Sequence, residues 1–64
     1  MSTAAELGSA ASTLDQVRDR IGAAATALEG TRNEDLTIGL SEVERQLKTA
    51  SRRLERLVKE LRER

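Results

Sequence analysis

The chain has 64 residues, with 11 Lys and Arg against 11 Asp and Glu, and it contains no His, Cys, Pro, Phe, Tyr or Trp. This length allows one small domain, and the missing Cys and His exclude disulfides, thiolate chemistry and the usual ligands of transition metals. Without aromatic side chains, recognition of nucleic acids by base stacking is excluded as well. We therefore expect no catalytic residue, no metal site and no cofactor.

The first half of the chain carries the apolar pattern of a helix. Its apolar residues recur at alternating spacings of three and four, as in the a and d positions of a heptad repeat: Leu7, Ala10, Leu14, Val17, Ile21, Ala24 and Leu28. Thr3 followed by Glu6 matches a capping box, in which the threonine oxygen accepts a free backbone N–H of the first turn. The first helix is predicted over residues 3–29.

A turn is predicted over residues 30–33. Gly30 can adopt the left-handed conformation that follows many helix ends. Thr31 and Glu34 form a second capping box, and Asn33 is an equally suitable start for the next helix. Because the connection is short, the two helices must run antiparallel.

The second helix is predicted over residues 34–63. Its apolar stripe continues the same spacing: Leu36, Leu40, Val43, Leu47, Ala50, Leu54, Leu57 and Leu61. Gly39 lies inside this range, and Ser41 with Glu44 forms a third capping box, so the chain could also break at Gly39 and restart at Ser41. The stripe stays in phase through Gly39, and glycine in a helix costs only about 1 kcal/mol relative to alanine, which favours a continuous helix.

The predicted fold is all-α, an antiparallel two-helix hairpin with the character of a helical coiled coil. One register pairs Leu14 with Ala50, and a shift by one heptad also works if the loop is longer. The predicted core and self-association residues are the large members of the stripe: Leu7, Leu14, Val17, Ile21, Leu28, Leu40, Val43, Leu47, Leu54, Leu57 and Leu61.

Self-association is predicted because a single two-helix seam buries little apolar surface. Ala11, Ala25 and Ser51 flank the stripe, and such small residues would let a second pair of helices approach. Two hairpins docked in this way form a homodimeric four-helix bundle.

Charge is unevenly distributed along the chain. Residues 1–44 hold three bases against eight acids, whereas residues 45–64 hold eight bases against three acids. The basic side chains give the second helix a candidate contact surface for a partner or an anion: Arg45, Lys48, Arg52, Arg53, Arg56 and Lys59. A purely structural interpretation is also open, with helix-dipole complementarity and exposed pairs such as Glu44–Lys48 and Glu55–Lys59. Ile38 and Val58 fall outside the stripe and are further candidates for partner contact.

The function predicted from these features is a non-enzymatic, self-associating interaction module, acting as an adaptor or small regulator in the cytoplasm. The alternative is a binder of nucleic acid or another anion through the basic residues of the second helix. Asp15 with Asp19 and Glu60 with Glu63 are carboxylate pairs one turn apart, which we expect to be solvated. No membrane association is expected, because no apolar run approaches about 18 residues.

Overall fold

The computed structural model describes residues 2–64 as two long antiparallel helices joined by a short turn. Helix α1 spans Thr3–Leu28 and helix α2 spans Thr37–Arg62, each with 26 residues. A single 3-10 turn, Glu34–Leu36, leads into α2. The all-helical hairpin predicted from the apolar period is confirmed, and no strand occurs within residues 2–64.

The N-terminal cap of α1 lies one residue before the predicted one. The Oγ atom of Ser2 accepts the backbone N–H of Ala5 at 3.1 Å. Thr3 is already the first helical residue, so its expected role as the capping residue is wrong. Serine at this position satisfies one of the backbone donors that the first turn of a helix leaves free.

The turn depends on Gly30 and Thr31. Gly30 has φ +75°, the left-handed conformation expected after the end of a helix. The hydroxyl of Thr31 donates to the carbonyl oxygen of Leu28 at 2.7 Å and accepts the N–H of Asn33 at 3.2 Å. This hydroxyl therefore ties the end of α1 to the turn, while the side chain of Asn33 makes no capping hydrogen bond.

Helix α2 passes through Gly39 without a break. Its α-helical residues run from Thr37 onward, and Ser41 lies in the interior of the helix, where it caps nothing. The alternative of a break at Gly39 and a restart at Ser41 is therefore wrong. The apolar stripe on both sides of Gly39 stabilises the continuous helix more than one glycine destabilises it.

The centre of the hairpin seam differs from the predicted one. The buried residues are Ala11, Ala25, Ser51 and Val58, with Ser51 only 2% exposed and Val58 only 5%. Ala11, Ala25 and Ser51 were expected to flank the seam, and Val58 was expected to lie outside it. Both expectations are wrong, because each helix is rotated so that its small residues face the other helix.

Small side chains explain this rotation. The Oγ atom of Ser51 lies 3.3 Å from the main-chain oxygen of Ala11, a contact that requires two closely approaching helices. Gly22 faces Glu44 across the seam, where a Cβ placed on it would lie 3.1 Å from Oε2 at the end of that flexible side chain. A larger residue at Ser51 would hold the helices apart.

The axial register is close to the predicted one. The hydroxyl of Ser51 donates to Asp15 at 2.8 Å, next to the predicted pair Leu14–Ala50. The hairpin is long and thin, with principal extents of 51 × 18 × 9 Å, so it forms a single layer of two helices.

Candidate interaction surface

The rotation of the helices leaves part of the apolar stripe of α2 exposed to solvent. Leu36, Val43 and Leu57 are spaced seven residues apart or twice that, so they lie along one side of the helix. All three are exposed, as are Ala50 and Leu61, and Leu57 is 55% exposed. Five of the eight apolar residues predicted to form the seam between Leu36 and Leu61 therefore lie outside it.

Helix α1 has a matching set of apolar residues. Ala10 and Ala24 are exposed and Val17 is half-buried, again at intervals of seven residues. Leu14 and Ile21 are half-buried and lie between these positions and the seam. The outward side of α1 is thus apolar over about four turns, from Ala10 to Ala24.

The two sets lie on the same side of the hairpin. In α1 the exposed Ala10 immediately precedes the buried Ala11, and in α2 the exposed Leu57 immediately precedes the buried Val58. One residue corresponds to a rotation of about 100° in a helix. Because the helices are antiparallel, the same rotation away from the seam in each of them leads to the same side of the layer. We call this side the apolar face, formed by Ala10, Val17, Ala24, Leu36, Val43, Ala50, Leu57 and Leu61.

The predicted core residues fall into two groups in the structure. One group is half-buried, with Val17 on the apolar face and the others along the margin of the seam: Leu7, Leu14, Val17, Ile21, Leu28, Leu40, Leu47 and Leu54. The other group is exposed on the apolar face: Val43 by 39%, Leu57 by 55% and Leu61 by 41%. Their predicted place in the seam is wrong for an isolated hairpin, and their predicted role in self-association stays a prediction.

Ile38 and Val58, the two residues outside the stripe that were predicted to contact a partner, have opposite environments. Val58 is buried between the helices, so the prediction that it contacts a partner is wrong for the folded hairpin. Ile38 is 78% exposed and, by its position on the helix, lies far from both the seam and the apolar face.

The basic residues of α2 are all exposed, and most lie on one side. Arg52, Arg56 and Lys59 line one shallow depression together with Glu55. Lys48 continues this side one turn before Arg52, and Arg45 two turns before it. We call the five residues Arg45, Lys48, Arg52, Arg56 and Lys59 the basic strip. Arg53 lies beside the strip, in a second depression that it shares with Arg45, Glu42 and Ala50.

Ion pairs contribute little to this surface. Across residues 2–64, the one ion pair within 4.0 Å joins Arg18 and Asp15, at 3.9 Å on the same helix. The expected pairs Glu44–Lys48 and Glu55–Lys59 are not formed at that distance. The basic strip is therefore solvated and has no carboxylate partner within that distance.

Sequence reasoning missed the polar contact between Ser51 and Asp15. Asp15 was expected to be a solvated surface acid, but its carboxylate accepts the hydroxyl of the buried Ser51. The available signal was the heptad spacing of small residues on α1 at Ala4, Ala11 and Ala25, which marks a side where another helix can approach closely.

The part of the chain that the structure describes contains no group of three or more acidic side chains placed to hold a metal ion. Neither helix there combines the length and the apolarity needed to cross a bilayer. Comparisons with protein-family models, with curated proteins and with solved structures give no match to this chain.

Proposed function

We propose that this protein is a non-enzymatic, self-associating interaction module whose apolar face is covered by a second copy of the chain. The exposed apolar face supports this proposal. Monomeric soluble proteins rarely leave a continuous apolar surface of this kind in water. Two hairpins that bring these faces together form a four-helix bundle with one shared core.

The exposed area of the hairpin supports a second copy as the occupant. The chain has a mass of 7.0 kDa and exposes 5059 Å², whereas a compact monomer of this mass exposes about 4,000 Å². The excess of about 1,000 Å² per chain is comparable to the roughly 800 Å² that each partner buries in a stable interface. A small protein without disulfides gains most by burying such an excess against itself.

The proposed dimer leaves polar surface for other proteins. The basic strip and Ile38 lie on the sides of α2 that point away from the apolar face, so they stay exposed after association. A rigid bundle with basic outer helices is suited to an adaptor or small regulator that docks on an acidic protein surface.

Sedimentation equilibrium with a matched pair of variants tests self-association. We expect Leu57→Gln to raise the dissociation constant of the dimer about tenfold or more, since each copy loses roughly 1 kcal/mol of apolar burial and there are two copies. Ile38→Gln removes an even more exposed aliphatic side chain from the opposite side and should leave the dissociation constant unchanged. Glutamine is a good helix former, so helix propensity is not the cause of either result.

The dependence of the melting temperature on protein concentration is an independent check of self-association in the wild-type protein. Because the partner binds only the folded chain, the melting temperature should rise as the sample is concentrated. A stable folded monomer of about 7 kDa at micromolar concentration, with a melting temperature independent of concentration, contradicts the proposal.

Anion binding by the basic strip is a second candidate function, favoured because none of its five side chains forms an ion pair within 4.0 Å in the described part of the chain. Arginine and lysine placed along one helix side can neutralise successive phosphates. Binding of a generic DNA duplex should then weaken steeply with salt, and Arg52→Gln with Arg56→Gln should remove it. Arg20→Gln with Arg32→Gln, two exposed bases outside α2, serves as the control of equal charge change, and an absence of binding at low salt rejects this candidate.

A further inference from the structure

The hairpin carries opposite net charges in its two parts. Glu44 lies against Gly22, so residues 22–44 form the part of the molecule next to the turn. This part holds one base, Arg32, against five acids, a net charge of −4. The remaining residues hold ten bases against six acids, a net charge of +4. The apolar face is therefore flanked by negative charge near the turn and by positive charge toward the open end.

The apolar stripes of the two helices are centred at the same level of the hairpin. The stripe of α1 runs from Leu7 to Leu28 and that of α2 from Leu36 to Leu61, so their midpoints lie just after Val17 and Lys48 respectively. The contact of Ser51 with Asp15 and the contact of Glu44 with Gly22 both align these two midpoints. One two-fold axis at this level can therefore match each stripe with its own copy.

We propose that the second copy docks with its turn at the opposite end, so that α1 packs on α1 and α2 packs on α2 across a two-fold axis near Val17. This inference rests on the proposed self-association and adds the orientation of the two hairpins. The axis places Leu7 of one copy opposite Leu28 of the other, and likewise Leu36 opposite Leu61. Each copy then presents the same surface to the other, as an isologous dimer requires.

Charge distinguishes this arrangement from the one with both turns at the same end. Both arrangements bury the apolar faces, since each stripe extends over its whole helix. With the turns together, the two acidic regions of charge −4 lie side by side. With the turns at opposite ends, each acidic region covers the basic region of the other copy, and complementary charges fix the orientation of two otherwise symmetrical faces.

A distance between spin labels on Asn33→Cys measures the orientation. The chain has no native cysteine, and Asn33 is an exposed turn residue without a side-chain capping bond, so the label should not disturb the fold. With opposite turns, the two labels are separated by at least about 30 Å, because about 16 Å of helix lies between Val17 and Leu28 in each copy. With the turns together, neighbouring helix axes lie about 8–10 Å apart and the labels fall within about 20 Å.

Oxidation of a single cysteine at Val17 gives a second measurement. Val17→Cys lies at the proposed axis, so its copies should form a disulfide in the dimer. In the arrangement with the turns together, Val17 faces α2 of the other copy and no such disulfide forms. Ala10→Cys on the same face is the control, because it is far from its own copy when the turns are opposite and should not cross-link.

The molecular mass of the labelled protein in solution, measured together with the label distance, distinguishes failure of the proposed orientation from failure of the proposed self-association. A dimer with a long label distance and a Val17 cross-link supports the orientation. A dimer with a short distance overturns the orientation and leaves self-association intact. A monomer with no dipolar coupling between labels overturns both.

Discussion

Ser51 is a polar residue enclosed between two helices, and its hydroxyl is satisfied by Asp15 at 2.8 Å. A buried hydroxyl without a partner is costly, so this contact removes a penalty as well as adding a hydrogen bond. The small volume of serine matters more than its polarity, because the main chain of α1 lies within 3.3 Å of its oxygen. Any larger side chain at this position must separate the helices.

Substitutions at Ser51 should therefore depend on size. Ser51→Ala loses one hydrogen bond of about 1 kcal/mol but gains helix propensity, so the free energy of unfolding should change by less than about 1 kcal/mol. Ser51→Leu should lower it by about 1–3 kcal/mol through overpacking. Urea denaturation at one fixed protein concentration measures both. Ser41→Leu on the exposed side of α2 is the control, and an equal effect at residues 41 and 51 contradicts the close approach at Ser51.

The limits of sequence reasoning are clearest at this scale. Gly30 was correctly placed as the left-handed residue after α1, because a short-range rule determines its conformation. Val58 was misplaced, because its burial depends on which side of α2 faces α1. That choice is made by the fit between two helices and is not contained in the local pattern around Val58.

At the scale of the helices, one apolar stripe contributes to two surfaces. The heptad spacing predicts two amphipathic helices and, together with the short turn, their antiparallel pairing, and both are confirmed. It does not say whether a leucine faces the other helix of the hairpin or a different molecule, since both contacts need the same residue types. Small residues such as Ala11 and Ser51 decide this, because the hairpin forms where the helices can approach most closely.

Substitutions of two neighbouring alanines on α1 test whether one lies in the seam and the other on the apolar face. Ala11→Glu places a carboxylate in the buried seam, so helix content should fall and should not recover when the protein is concentrated. Ala10→Glu places the same side chain on the apolar face, so self-association should weaken while concentration restores the fold. Circular dichroism over a range of concentrations measures the difference. Because both variants make the same substitution in the same helix, identical behaviour contradicts the assignment of one residue to the seam and the other to the face.

At the scale of the molecule, the hairpin is half of a usual domain architecture. Domains are typically built from at least two packed layers, and this chain forms one layer with a thickness of 9 Å between its outermost Cα positions. Its radius of gyration of 15.0 Å exceeds the roughly 11 Å of a compact chain of this length. The apolar face and the excess exposed area both support the proposed second layer, and the opposite net charges of the two parts of the hairpin favour a second copy of the chain as its source.

X-ray scattering from the associated species tests how that layer is added. Two hairpins stacked through the apolar face lie about 8–10 Å apart, which raises the radius of gyration only from 15.0 Å to about 16 Å. Association through the ends of the hairpins separates their centres by nearly the full 51 Å length and raises it to about 29 Å. The smaller value is expected because the apolar face runs along the length of both helices while the two ends carry charged residues. A dimer mass combined with the larger radius of gyration contradicts docking through the apolar face. Leu57→Gln should return the scattering curve to that of a single hairpin.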